Sequence, residues 1–88
     1  MRGLVGSQEL EAGEALVLRP ALQVHTFLLP FRIDVAMCDA RWRVLWLRRS
    51  MKQNTLGPLL LGARFAVEMR AGALPAWMEP GVGLMLVE

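Results

Sequence analysis

One cysteine and one histidine are all that this chain of 88 residues holds of the side chains that most often bind metals or attack substrates. A single thiol excludes an internal disulfide and any cysteine-rich zinc cage, in keeping with a reducing compartment. A metal centre needs three or four convergent ligands, so one His, one Cys and scattered carboxylates without paired spacing exclude a dedicated site. No cofactor motif is present either. Gly81-Val82-Gly83 lacks the third glycine and the following helix that cradle a phosphate, and it reads as a turn. Long apolar runs are missing as well. The longest charge-free stretches, residues 20–31 and 53–63, fall short of the roughly 18–20 apolar residues that cross a bilayer. After Arg2, only Leu4 and Val5 come before Gln8, Glu9 and Glu11, too short an apolar run for a signal peptide. The default location is therefore the cytoplasm. Internal repeats and linkers are absent.

What is present is a hydrophobic composition. Apolar residues make up 55% of the chain and charged residues 20%, too apolar a mixture for a disordered chain. At this length one core is expected, with residues 1–88 as a single domain. The net charge of +2 is unevenly spread. Glu9, Glu11 and Glu14 crowd the first segment, whereas Arg41, Arg43, Arg48, Arg49 and Lys52 hold half of the basic residues. A nucleic-acid binder would show a stronger basic excess on one face.

Two-residue periodicity predicts strands. Across 33–39, Ile33, Val35 and Met37 alternate with Asp34, Ala36 and Cys38, the pattern of a half-buried strand. Across 41–49, Trp42, Val44 and Trp46 share one side, with Arg41, Arg43, Leu45 and Leu47 opposite, and Asp39-Ala40 supplies a hairpin turn. Across 64–70, Phe65, Val67 and Met69 point inward, against Arg64, Glu68 and Arg70 outward. Residues 15–18 and 84–87 are short apolar runs of strand length beside Gly or Pro punctuation. Pro75 suits the first turn of a short helix over 73–78, which Glu79-Pro80-Gly81 would stop. Residues 50–62 show no clear period and read as a crossing loop. The expected fold is mainly β, a β-rich α+β chain: a small compact barrel-like sheet of about five strands with one short helix, closed so that its edges are hidden.

Three stretches, taken together, resemble a known family. They are Arg2-Gly3-Leu4-Val5-Gly6, then Arg19-Pro20 leading to Val24-His25-Thr26-Phe27, then residues 31–39 with their hairpin. In this order they resemble the bacterial and archaeal domain-of-unknown-function 192 family, and Gly62-Ala63-Arg64 and Ala71-Gly72 extend the likeness over nearly the whole chain. The departures are Ala21 where the family often has cysteine, Ser7 where it has arginine, Pro30 and Arg32 interchanged, and Gly83 where aspartate is common. The family also carries a strand ahead of the Arg-Gly-Leu stretch, where this chain has only Met1. What the resemblance implies is a compact β-rich fold with no established activity. A missing strand would leave a sheet edge free to pair with a second copy.

The candidate ligand contacts are His25, Thr26, Phe27 and Asp34. An imidazole oriented by a carboxylate beside a hydroxyl is the arrangement that activates a nucleophile. The bland alternative is a histidine hydrogen-bonded in a turn. Cys38 in a strand reads as a small buried hydrophobe. Arg41, Arg43, Arg48, Arg49 and Lys52, interleaved with Trp42 and Trp46, form a basic patch of the kind that stacks bases and holds phosphates. Because no catalytic pair has convincing spacing, the preferred reading is a non-catalytic binding or accessory module. The alternative is a small hydrolase-like enzyme using His25 as general base, with Asp34 orienting it and Thr26 contacting substrate. A nucleic-acid surface on the basic strand comes third.

Overall fold

The computed structural model describes residues 3–4, 15–84 and 86–87. Strands β1 (Gly3–Leu4), β2 (Leu16–Leu18), β3 (Ile33–Cys38), β4 (Val44–Met51), β5 (Phe65–Arg70) and β6 (Leu86–Val87) follow in chain order. Four of them form one antiparallel sheet in the order β2-β5-β3-β4, and β1 pairs with β6 in a separate two-stranded ladder. Four of the five expected strand stretches thus build the sheet. The fifth contributes Leu86–Val87 to the small ladder instead.

β3 is buried at all six positions, so the half-buried strand expected here is corrected to one covered on both faces. The two-residue repeat sorts its side chains between two cores. Ile33, Val35 and Met37 join Ala21, Val24, Met51, Ala63 and Ala66 on the first face. Ala36 and Cys38 join Val44, Val67, Met69, Leu74, Met78 and Leu84 on the second. Neither cover is a helix or a second sheet. Residues 19–32 and 52–63 cross the first face, and residues 71–84 cross the second.

The sheet does not close into the expected barrel. Among the described residues the three-residue β2 pairs with β5 alone, and it stands at the opposite end of the sheet from β4. The edge at the start of β4 is blunted another way. Val44 donates to the Val82 carbonyl at 2.8 Å, Gly81 to the Val44 carbonyl at 2.8 Å, and Leu84 to the Trp42 carbonyl at 2.9 Å. A covered edge of this kind is protected from pairing with another chain.

No helix forms among the described residues, and the expected one at 73–78 is a pair of tight turns. Ala73 donates to the Arg70 carbonyl at 2.9 Å and Met78 to the Pro75 carbonyl at 3.1 Å. Further backbone groups of this segment are bound by two side chains. The Asp34 carboxylate accepts the Gly72 and Leu74 amides, each at 3.0 Å. The Arg49 guanidinium donates to the carbonyls of Leu74, Pro75 and Met78 at 2.8, 3.0 and 3.0 Å.

The β3–β4 hairpin is also irregular. Its loop runs from Asp39 to Arg43 rather than turning at Asp39-Ala40, with Trp42 left-handed at φ 63°. The Asp39 carboxylate accepts the Arg41 and Arg43 amides, both at 2.9 Å, which fixes the loop. Register slips between Met37↔Trp46 and Cys38↔Val44, leaving Leu45 as an extra residue. The expected shared face of Trp42, Val44 and Trp46 is corrected accordingly. Trp42 stacks on Phe65 at 4.0 Å and belongs with Val44 to the second core, whereas Trp46 packs against the first. A second slip between Ile33 and Val35 puts an extra residue in β4, where Ser50 is left-handed at φ 53°.

Candidate functional site

The residues expected to form a nucleophile-activating set do not meet. His25 is exposed at the start of the first cover, its ring stacked on Phe27 with centroids 4.7 Å apart. Its Nδ1 accepts the Phe27 amide at 3.3 Å. Asp34 lies on the second face of β3, where its carboxylate takes three backbone amides: Ser50 at 2.7 Å, and Gly72 and Leu74 at 3.0 Å. The sheet lies between the imidazole and the carboxylate.

Thr26 is fully buried and committed to the chain around it. Its hydroxyl donates to the Lys52 carbonyl at 2.6 Å and accepts the Thr55 amide at 2.9 Å. Its own amide donates to the Thr55 carbonyl at 2.9 Å, and its carbonyl accepts Asn54 at 2.9 Å. A hydroxyl with both roles filled is a splice between loops 24–29 and 52–57, not a nucleophile. Gly57 completes the splice, because a Cβ there would stand 3.3 Å from the Val24 carbonyl oxygen.

The basic residues diverge as well. Arg49 points to the second face and binds the 74–78 turns, and Arg43 donates to the Gly81 carbonyl at 3.1 Å. Arg48 points to the first face, its guanidinium 5.4 Å from the Trp46 ring centre. Arg41 and Lys52 are exposed on separate loops. Cys38 is buried, and burial, with the Asp39 charge second, pushes its thiol up to about 12, the opposite of a reactive cysteine. No group of three or more His, Cys, Asp or Glu side chains converges among the described residues. Nor is any described helix long and apolar enough to cross a membrane.

The structure instead opens a groove on the first face, along β5 and the neighbouring edge strand. It has a volume of about 620 Å³, and Leu16, Leu29, Phe31 and Ile33 line it with Glu68 and Arg70. A second depression of about 380 Å³ adjoins it, lined by Leu18, Leu22, Gln23, His25 and Phe27. Leu29 and Glu68 belong to both. The large side chains around them stay open to solvent, with Leu16 at 45%, Phe27 at 46% and Phe31 at 53% exposure. Clustered exposure of this kind marks contact surfaces, unlike singly scattered apolar residues. The Glu68 carboxyl is half-buried in the shared wall. Loss of solvent raises its pKa above the ordinary carboxylate value, and the nearby His25 partly offsets this.

Of the four expected contacts, His25 and Phe27 line the depression, whereas Thr26 and Asp34 are structural. The residues sequence reasoning missed are Leu16, Leu29, Phe31 and Glu68. Their signal was present in part: residues 20–31 are charge-free and rich in large apolar side chains. Glu68, however, alternates like any solvent-facing strand residue.

The chain matches no protein-family model, no curated protein and no solved structure.

Proposed function

We propose that this chain is a non-catalytic binding module whose site is the open apolar groove beside β5. One observation carries the reading: the groove of about 620 Å³ is walled by Leu16 and Ile33 of the sheet and by Leu29 and Phe31 of the segment that crosses it, whereas the hydroxyl and carboxylate that catalysis would need are consumed by backbone bonds. Ligand sites are typically concave and mostly apolar, with a few placed polar groups that fix orientation. Glu68 and Arg70 are those groups here.

Titration of ¹⁵N-labelled protein with 1-decanol, a neutral alkyl probe, tests the reading. Saturable shifts confined to the amides of Leu16, Leu29, Phe31, Ile33 and their neighbours support it. The absence of any saturable shift overturns it.

The likeness to the domain-of-unknown-function 192 family, and a cytoplasmic location, go with this proposal. Pairing of two copies would use the outer edge of β2, because residues 81–84 already occupy the start of β4. Light scattering that gives a strict monomer would refute the pairing.

A further inference from the structure

Resting on the groove reading above, we infer that the ligand is a small cationic amphiphile, its alkyl part in the groove and its ammonium or similar nitrogen cation on the Glu68 carboxylate.

Glu68 stands in the wall common to both depressions. Among the described residues no hydrogen-bond donor is placed on its carboxylate. The other buried acid differs in this respect, since Asp34 is satisfied by three backbone amides, and Asp39 in the hairpin loop accepts two. A half-buried carboxylate without a donor is destabilised by lost hydration, and a ligand that brings a charged donor restores what burial removed. The raised pKa of this group is a symptom of the same desolvation.

The charges around Glu68 leave room for a cation. Across β2 it faces Leu16, and across β3 it faces Val35, neither of them titratable. Arg70, on the same face of β5, is exposed and has a partner of its own. His25, from the first cover, is the charge that acts on Glu68, and it lines the adjoining depression. The rest of the lining argues for an alkyl body. A bound peptide would need partners for its own amides and carbonyls, and the side chains of Leu16, Leu29, Phe31 and Ile33 offer none. An alkyl chain requires only removal from water.

Calorimetric titration with n-decylammonium, 1-decanol and decanoate, on wild type and Glu68→Gln at pH 7.5, tests the assignment. In the wild type the ammonium should bind about tenfold more tightly than the alcohol, the scale of one charge-assisted hydrogen bond, and decanoate more weakly than either. In Glu68→Gln the ammonium should lose its advantage over the alcohol. Equal wild-type affinities for ammonium and alcohol would overturn the cation assignment and leave the groove standing. An ammonium preference that survives Glu68→Gln would overturn Glu68 as its origin. If none of the three compounds binds, the groove reading itself fails.

Discussion

Asp34 and Arg49, on neighbouring strands, hold Leu74 by opposite ends of its backbone: the carboxylate accepts its amide at 3.0 Å and the guanidinium donates to its carbonyl at 2.8 Å. This pair makes a stable cover from residues 71–84 without a helix. Replacing Asp34 by Ala strands one buried amide and two part-buried ones, each costing up to about 1–3 kcal/mol. A chain of this size has net stability near the low end of the usual 5–15 kcal/mol, so Asp34→Ala should not fold. Asp34→Asn retains an acceptor but turns an amide donor toward other donors, and should lose about 1–3 kcal/mol in urea unfolding. Arg49→Lys cannot span three carbonyls with one ammonium, and should lose roughly 1–2 kcal/mol by the same measurement.

Thr26 and His25 are adjacent in sequence and should behave oppositely. Thr26→Val keeps the shape but strands the Lys52 carbonyl and the Thr55 amide, for an expected loss of about 1–3 kcal/mol. His25→Ala, at an exposed position, should stay within about 0.5 kcal/mol of wild type. A large loss for His25→Ala in chemical denaturation would mean that the imidazole supports the fold.

Glu68 links the groove to pH. Its folded pKa is raised above the unfolded value, so the folded state binds its proton more tightly than the unfolded state does. The contribution to stability is fully present below the unfolded pKa and is lost as pH rises through the folded one. Glu68→Gln, neutral at every pH, should therefore melt higher than wild type at pH 7, and the gap should close as pH falls below the ordinary carboxylate range. Melting curves at both pH values check the sign. Decylammonium affinity should fall over the same acid range, as Glu68 is neutralised.

Cys38 offers a probe of the core. With its thiol buried and pushed up to about 12, it should react with a disulfide reagent only through unfolding. Native protein should therefore label at a rate that follows urea concentration as global unfolding does. Rapid labelling in buffer alone would contradict the burial.

The strands were legible wherever side-chain alternation was simple. Phe65, Val67 and Met69 against Glu68 and Arg70 located β5, and Ile33 to Cys38 located β3. Sequence reasoning failed where a single residue changes the register. Leu45 and the left-handed Trp42 are unremarkable as letters, yet they send the two tryptophans to opposite cores. It failed again where side chains replace regular structure. The helix expected over 73–78 did not foresee a buried carboxylate 40 positions away in sequence from the amide it accepts. Half of the candidate site was visible for a related reason. His25 and Phe27 drew attention by type, whereas Glu68 becomes special only through the leucines and phenylalanines that the fold gathers around it.

The two covers are fastened independently, one at Thr26 and the other at Asp34 and Arg49, on opposite sides of the same strands. Each should therefore lift from the sheet separately, and hydrogen exchange should record two openings. The amides of Asn54 and Thr55 should exchange together in one event, and those of Gly72 and Leu74 in another. The central amides of β3, bonded to strands on both sides, should exchange only when the whole chain unfolds. Because Leu29 and Phe31 of the first cover form part of the groove wall, a ligand held there should slow the first event and leave the second untouched.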